Sequence, residues 1–241
     1  MRDKWSNYDK SRKSRTDILL KFIIGLLFAV GVGLLAYPTV ASKYNEWHSS
    51  YLIASYEDKS ADLSDLDYAR IMAGAVAYNQ VLPSYVYRWT PNQELHDWYS
   101  SLLNVTDTGV MCYVSIPSIK IKLPVYHGTD EKTLALGVGH MEGSSLPVGG
   151  IGTHAVMSGH SALPSARLFT DLSNITTGDL FYIHVLDRIL TYRVVDIETV
   201  LPDDFSHFEI DPEKDMCTLV TCTPYGVNTH RLLVIGERLL D

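Results

Sequence analysis

The 241-residue sequence predicts a mainly β domain, either a barrel or a sandwich, that follows an N-terminal helical region. Three observations predict this organisation. An apolar stretch of about 20 residues lies near the N-terminus, helix-like spacing continues to about residue 107, and short β-rich runs alternate with turns from residue 109 onward. Hydrophobic residues make up 46% and charged residues 20% of the chain, which permits a core and excludes wholesale disorder.

Charge is distributed unevenly along the chain. The net charge is −8, yet residues 1–17 carry six basic and three acidic side chains, a net of +3. After Lys21 there are 13 basic and 25 acidic residues, a net of −12. A body this acidic is repelled by a phosphate backbone, so nucleic acid is not an expected partner.

Residues 18–38 form the apolar stretch, and Lys21 is its one charged residue. Its length suits one membrane crossing, and Lys21 can reach the headgroups from near the end. The basic flank comes first, which predicts a cytoplasmic tail at 1–17, a single-pass anchor at 18–38 and an extracellular remainder. A cleaved signal peptide is the alternative, but the stretch exceeds the usual 7–15 residues and Val40 or Ala41 makes a mediocre cleavage site.

A helical region is predicted for residues 39–107. Apolar residues recur at near-helical spacing over residues 60–81. Thr90 is a predicted helix cap, with Pro91 at the first helical position and Gln93 three after the cap, and this helix should run to about Leu103. Residues 82–89 between the two helices form an aromatic loop.

The β region is predicted to occupy residues 108–241. Residues 186–189 are a predicted hairpin turn, and residues 165–172 resemble a helical insert. Seven or eight short strands favour a barrel or a sandwich. The predicted strands are 109–116, 119–126, 153–158, 179–187, 190–198, 216–222 and 230–236.

The cysteines do not form a disulfide scaffold, because there are three of them. Cys112 lies in a run of period two, which indicates a strand with Cys112 on one face as a small buried hydrophobe. Cys217 and Cys222 are five residues apart, so on one regular strand they face opposite sides and do not pair with each other.

Cys222 ends an apolar run and is followed by a turn-prone string, Thr223 to Gly226, and a strand that begins near His230. A hairpin of this kind can bring Arg231 beside Cys222. A guanidinium there favours the thiolate and can donate hydrogen bonds to the oxygen that becomes negative when a carbonyl is attacked. The alternative for Arg231 is an ordinary surface cation on a strand.

An acid–base group is also needed for nucleophilic catalysis, and the chain has nine histidines. His140, His154 and His160 lie in one glycine-rich stretch. His160 comes directly after the run 155–158 and one glycine, and the end of a strand is where catalytic groups tend to lie. The spacing of the three matches no compact zinc signature, so a metal site is the weaker interpretation, and the glycines match no phosphate-binding fingerprint.

These residues together resemble the sortases, the cysteine transpeptidases of Gram-positive cell surfaces. The string Thr-Leu-Val-Thr-Cys at 218–222 is similar to the family's cysteine motif, His160 after Ser-Gly matches its histidine, and Arg231 lies nine residues past Cys222, like its arginine. The resemblance covers about residues 75–238. The fuller strings at 137–150, 163–172 and 221–231 are similar to class C, the pilin-polymerising branch.

The resemblance implies a closed sortase-like β-barrel of about eight strands, with His160, Cys222 and Arg231 as catalytic residues and no cofactor or metal. It also implies pilin subunits that carry a Leu-Pro-x-Thr-Gly-like sorting signal as substrates, and a pilin lysine as the acceptor. In a wall-anchoring sortase the acceptor is a cell-wall peptide instead, and this alternative stays open. The expected location is the cell membrane.

Two departures from class C stand out. The usual lid motif, Asp-Pro-aromatic, is absent, since Asp211-Pro212 is followed by Glu213. The loop that carries Tyr85, Tyr87 and Trp89 is the candidate for a different lid, with helix-packing aromatics as the alternative. The chain also ends without a C-terminal membrane span.

Two rival interpretations remain. One is a membrane-tethered β-barrel binding module in which Cys222 is merely structural. The other is a papain-like hydrolase, but that fold requires its cysteine on a helix N-terminus and upstream of the histidine, whereas His160 precedes Cys222 and Cys222 ends a strand.

Overall fold

The computed structural model describes residues 2–161, 163 and 166–239, with side chains from residue 17 onward. Four α-helices precede or interrupt the sheet in the described part of the chain. They are α1 (Arg2–Ala61), α2 (Asp65–Val81), α3 (Gln93–Ser101) and α4 (Glu131–Leu136). Short 3-10 turns occur at Leu82–Ser84, Pro117–Ile119, Thr170–Asn174 and Ser206–Phe208.

Among the described residues, eight strands close into a barrel in the order β1-β2-β3-β4-β7-β8-β6-β5, which confirms the predicted mainly β barrel. Two neighbouring pairs are parallel, β2 with β3 and β4 with β7, and the other pairs are antiparallel. The strands are β1 (Val110–Ile116), β2 (Ile121–His127), β3 (Val138–His140), β4 (Thr153–Ser158), β5 (Leu180–Val185), β6 (Arg188–Val200), β7 (Asp215–Thr223) and β8 (His230–Arg238).

Helix α1 combines an exposed apolar half with a half that packs on the barrel. Within Asp17–Ala61 an 18-residue window reaches a mean hydropathy of 2.6 with none of it buried, so one described helix is long and apolar enough to cross a membrane. Further along, Leu52, Ile53 and Tyr56 are buried against β1 and β2. The Tyr56 hydroxyl donates to the carbonyl of Met111 at 3.1 Å and accepts from the N–H of Leu186 at 2.8 Å, which ties α1 to the barrel wall.

The helical region differs from the prediction at two helix ends. The predicted helix over residues 60–81 is interrupted after Ala61, because Ser64 caps a new helix by accepting from the N–H of Asp67 at 3.1 Å. The predicted start at Thr90 is wrong by two residues. Asn92 is the cap, since its side-chain oxygen accepts from the N–H of Leu95 at 2.9 Å, and α3 ends at Ser101.

All seven predicted strands are present, and the sequence pattern missed one. Strand β3 has only three residues, follows Gly137 and contains Gly139, so it is too short to show a period. The predicted helical insert at 165–172 is not helical in its described part until Thr170, where a 3-10 turn begins, and Ser165 itself lies outside the described residues. The predicted turn at 186–189 is shorter, because β6 already begins at Arg188.

The barrel interior holds two of the three cysteines. Cys112 and Cys217 are fully buried among the core side chains, as predicted for Cys112, and burial raises the pKa of each thiol. Cys222 is half-buried and, like the other two, is a free cysteine.

Candidate active site

Cys222 and Arg231 lie directly opposite each other on antiparallel strands β7 and β8. The turn that joins the strands is stabilised by the N–H groups of Val227 and Asn228, which both donate to the carbonyl of Pro224 at 3.0 Å. The hairpin predicted from the sequence therefore forms, and its register places Arg231 beside Cys222.

His160 follows β4, the strand on the other side of β7. The parallel register pairs Ser158 with Val220, so two residues further along His160 is level with Cys222. Three hydrogen bonds continue this pairing past the end of β4. The N–H of Gly159 donates to the carbonyl of Val220 at 3.0 Å, the Thr221 hydroxyl to the carbonyl of Gly159 at 2.7 Å, and the Ser161 hydroxyl to the carbonyl of Cys222 at 2.7 Å.

The three residues also share one face of the sheet. On β7 the core residues are Cys217 and Leu219, whereas Val220 packs outside the barrel, so Cys222 belongs to the outer face. The same alternation places His160, in step with Val156 on β4, on that face. Arg231, in step with Leu233 on β8, lies there as well. Cys222 thus lies between an imidazole and a guanidinium on adjacent strands, at one end of the barrel, and all three side chains are half-exposed.

The Arg231 guanidinium is held by its own hairpin. Its Nη1 donates to the carbonyls of His230 at 3.1 Å and of Asn228 at 3.3 Å. A guanidinium carries five N–H donors, more than these two contacts use, so it can also bind an oxygen that develops charge next to Cys222.

A groove leads away from this site along the outer face. Its floor is formed by residues of β4, β6, β7 and β8, and its wall is the segment 201–208 between β6 and β7. The lining is mostly apolar, with Arg231 at one side. It comprises Met141, Ser158, Val200, Leu201, Pro202, Asp204, Phe205, Phe208, Val220 and Arg231.

The groove wall is fastened by two buried side chains that the sequence analysis did not single out as anchors. His154 Nδ1 donates to the carbonyl of Glu209 at 2.9 Å, and its Nε2 accepts from the Thr218 hydroxyl at 2.8 Å. Arg88 donates to the carbonyls of Gly143 and Phe208, which connects the helical region to the wall. An arginine in an otherwise aromatic loop was the one signal in the sequence that pointed to such a buried role.

The aromatic loop at 82–89, the candidate lid, lies beside the groove wall. Tyr87 is 78% exposed and Tyr85 is 40% exposed. Trp89 packs on the back of the wall, with its ring 5.3 Å from that of Phe205 and 6.2 Å from that of Phe208. None of the three is among the residues that line the groove beside Arg231.

The two other histidines of the glycine-rich stretch are structural. His140 is fully buried, its Nε2 donates to the carbonyl of Ser145 at 2.8 Å, and its Nδ1 accepts from the Tyr99 hydroxyl at 3.0 Å. Burial lowers the pKa of His140 to about 4 and lowers the pKa of His154 as well, so both rings are neutral at pH 7. Across the part of the chain that the structure describes, no three His, Cys, Asp or Glu side chains are grouped to hold a metal ion.

Curated relatives match the barrel. Sortase A of Bacillus anthracis is 32% identical over 124 residues, which is 52% of this chain and 57% of the relative. Sortase A of Streptococcus agalactiae is 30% identical over 127 residues, 52% of this chain and 51% of the relative. The chain thus matches somewhat more than half the length of these relatives.

Solved structures match a larger part of the chain. Sortase C1 from Streptococcus agalactiae has a TM-score of 0.76 and 46% identity, over 79% of this chain and 99% of that structure. Sortase C-1 from Actinomyces oris has a TM-score of 0.66 and 42% identity, over 72% of this chain and 98% of that structure. The predicted resemblance to class C is therefore confirmed in the fold.

The family model for the sortase domain matches residues 114–239, which is more than half of the chain. This match covers β1 to β8 almost completely, including the segments that carry His160, Cys222 and Arg231. Sortases are cysteine transpeptidases, and this chain belongs to the sortase family.

Proposed function

We propose that this protein is a membrane-anchored transpeptidase that cleaves a Leu-Pro-x-Thr-Gly-like sorting signal between Thr and Gly and joins the acyl product to a pilin lysine. The observation that carries the proposal is the placement of Cys222 between His160 and Arg231 on one outer face of three adjacent strands. The likeness to solved class C sortases supports a pilin as the substrate.

In the first half-reaction the Cys222 thiolate attacks the threonine carbonyl carbon, and a C–S bond forms. The carbonyl oxygen becomes an oxyanion, which the Arg231 guanidinium stabilises with N–H donors. The C–N bond to glycine then breaks. His160, as an imidazolium, gives its proton to the leaving amine, and an acyl-enzyme thioester remains.

In the second half-reaction a lysine amine attacks the thioester carbonyl. A C–N bond forms, the C–S bond breaks, and Cys222 leaves as a thiolate. The neutral His160 takes the proton that the attacking amine loses, which restores the imidazolium. The reaction exchanges one amide for another, so it needs no cofactor and no external oxidant.

The groove wall at 201–208 supports the recognition of the sorting signal. Leu201, Pro202 and Phe205 provide apolar contacts at a distance along the strands from Cys222, where the leucine and proline of the signal would bind. The carbonyl of the threonine would then lie between Cys222 and Arg231.

We also propose the membrane arrangement on which this function depends. Residues 1–17 form a basic cytoplasmic tail, residues 18–38 cross the membrane, residues 39–107 form a helical support, and residues 108–241 form the extracellular catalytic domain. The contacts of α1 with β1 and β2 support this arrangement, because they attach the barrel to the part of the helix that follows the apolar span.

A cell-wall peptide as the acceptor is the second candidate, since the curated relatives include proteins named sortase A. The test is to incubate the full chain with a candidate pilin that bears a sorting signal and to examine the products on a denaturing gel. A covalent ladder that disappears with Cys222→Ala supports pilin polymerisation. Cleavage without a ladder, with products formed only when a wall peptide is added, favours anchoring, and no thioester or cleavage with either would contradict the transpeptidase proposal.

A further inference from the structure

The side of α1 that faces away from the barrel carries an exposed stripe of apolar and aromatic residues. We propose that this stripe binds the same stripe of a second copy of the chain, so that the protein forms a parallel dimer through α1. The parallel orientation depends on the membrane anchoring proposed above. The dimer itself is independent of the proposed chemistry.

The stripe follows a regular spacing of alternating steps of three and four residues. From residue 37 onward the stripe has six members, and the five larger side chains among them are 58–65% exposed. They are Tyr37, Val40, Tyr44, Trp47, Tyr51 and Ala54. The barrel-facing side chains of the same helix, such as Leu52, Ile53 and Tyr56, lie on the opposite side at 3.6 residues per turn.

The same spacing continues without interruption into the apolar span. Its members there are Leu19, Ile23, Leu26, Val30 and Gly33, and none of the stripe positions from 19 to 54 is charged. A 3-4 repeat over about five heptads is the pattern of a helix that supercoils with another helix. Gly33 allows two backbones to approach closely inside the membrane.

Lipid does not account for the outer part of the stripe. Tyr51 lies 13 residues beyond Pro38, about 20 Å along the helix at 1.5 Å per residue. The headgroup layer on one side of a bilayer is about 5–7 Å thick, so Trp47 and Tyr51 extend beyond it on an upright helix. A partner that covers the whole stripe must contact α1 both inside the membrane and outside it. Because a single segment that crosses lipid is helical, this partner is a helix about as long as the stripe.

A second copy of α1 meets this requirement. Two copies anchored in one membrane are parallel and at the same depth, so each stripe residue meets its own counterpart. The rings of Tyr44, Trp47 and Tyr51 already lie next to each other along one chain, with centroids 6.1 and 6.2 Å apart for successive pairs; the first pair is tilted by 41° and the second is stacked at 20°.

The positions that flank the stripe permit the approach. Four of these residues are alanine or serine, and none of the six carries a carboxylate. The one cation among them, the Lys43 ammonium, is already paired with the Glu46 carboxylate at 2.8 Å. Between residues 36 and 55, two copies therefore bring no negative charges together along this face. The flanking residues are Ala36, Ala41, Lys43, His48, Ser50 and Ser55.

The test is a cysteine scan of the full chain in membranes, in the Cys222→Ala background so that the native half-buried thiol does not react. Single cysteines replace Tyr44, Trp47, Tyr51 and Ala54 on the stripe. Glu46 and Thr39, which are exposed but lie neither on the stripe nor beside it, provide matched controls. After mild oxidation, roughly fivefold more disulfide-linked dimer is expected at the stripe positions than at the controls, since a disulfide requires closely apposed Cα atoms.

A uniform yield at all six positions would indicate random encounters and overturn the proposal. Absence of dimer at every position, with the protein still in the membrane fraction, would leave lipid and solvent as the only neighbours and would also overturn it. As a second variant, Tyr44→Glu in the Trp47→Cys background opposes like charges across the dimer and should lower the yield roughly tenfold. Because no readout uses catalysis, failure here is distinguishable from failure of the proposed reaction.

Discussion

The guanidinium of Arg88 donates a hydrogen bond to the carbonyl of Phe208 at 3.1 Å, across a separation of 120 residues in the chain. The same side chain donates to the carbonyl of Gly143 at 3.0 Å and forms an ion pair with Glu209 at 3.4 Å. Its plane lies over the Trp89 ring, 4.3 Å from the centroid. The helical region thus sets the position of the groove wall beside Arg231 without touching the proposed catalytic residues.

We predict that Arg88→Met weakens substrate binding more than it slows the chemical step. The substitution leaves the buried carbonyls of Gly143 and Phe208 without their donor, which costs about 1–3 kcal/mol and loosens the wall. In steady-state assays with a sorting-signal peptide, KM should rise roughly tenfold while kcat changes less than about threefold.

The control is Arg70→Met, since Arg70 lies exposed on α2 and pairs with Asp67 at 2.9 Å. It should change neither parameter. An Arg88 variant with an unaltered KM would show that the wall does not depend on this clamp.

Arg231→Lys should lower kcat by about 10²-fold or more. A lysine ammonium supplies charge but cannot reproduce the planar fork that donates to both the turn carbonyls and a developing oxyanion. The measurement is kcat for peptide cleavage, together with a thermal melt to show that the barrel remains folded. Arg193→Lys on β6 is the matched control, because Arg193 is exposed, and a similar loss in both variants would argue against the oxyanion role.

Gly159→Ala should impair catalysis through the position of His160. A Cβ atom at residue 159 would lie 2.7 Å from the Phe169 ring, so either the ring or the strand end that carries His160 must move. A loss of about tenfold or more in kcat is expected from misplacement of an acid–base group. The double variant with Phe169→Leu removes the clash and should recover part of the rate, and no recovery would mean that the defect lies elsewhere.

Stability should fall between about pH 6.5 and pH 4 because of His140. Burial lowers the pKa of His140 to about 4 in the folded state, against an ordinary value of 6.5, so the unfolded chain binds the proton first as the pH falls. The neutral ring therefore contributes stability that is complete above pH 6.5 and is lost through this window, by about 3 kcal/mol in total.

Thermal melts of the full chain in detergent at several pH values test this expectation. His140→Gln should be less stable at pH 7 but should show a shallower loss on acidification. His48→Gln on α1 controls for the removal of an imidazole outside the barrel. Equal slopes for the wild type and His140→Gln would contradict this assignment.

Local sequence patterns determined much of this protein. The apolar run at 18–38, in which Lys21 is the one charged residue, predicted a membrane-spanning segment, and β-rich runs predicted seven of the eight strands. The spacing of five residues placed Cys217 and Cys222 on opposite faces. The turn string after Cys222 predicted the hairpin that pairs it with Arg231, because a tight antiparallel connection restricts which residues can lie opposite each other.

The tertiary structure alone decided the features that depend on distant contacts. Strand β3 forms because β2 and β4 flank it, although three residues among glycines carry no period of their own. The roles of His140, His154 and Arg88 also depend on burial and on carbonyls up to 120 residues away. Local spacing determines which face a side chain occupies, whereas only the closed barrel determines which polar groups lose their water and must find partners in the protein.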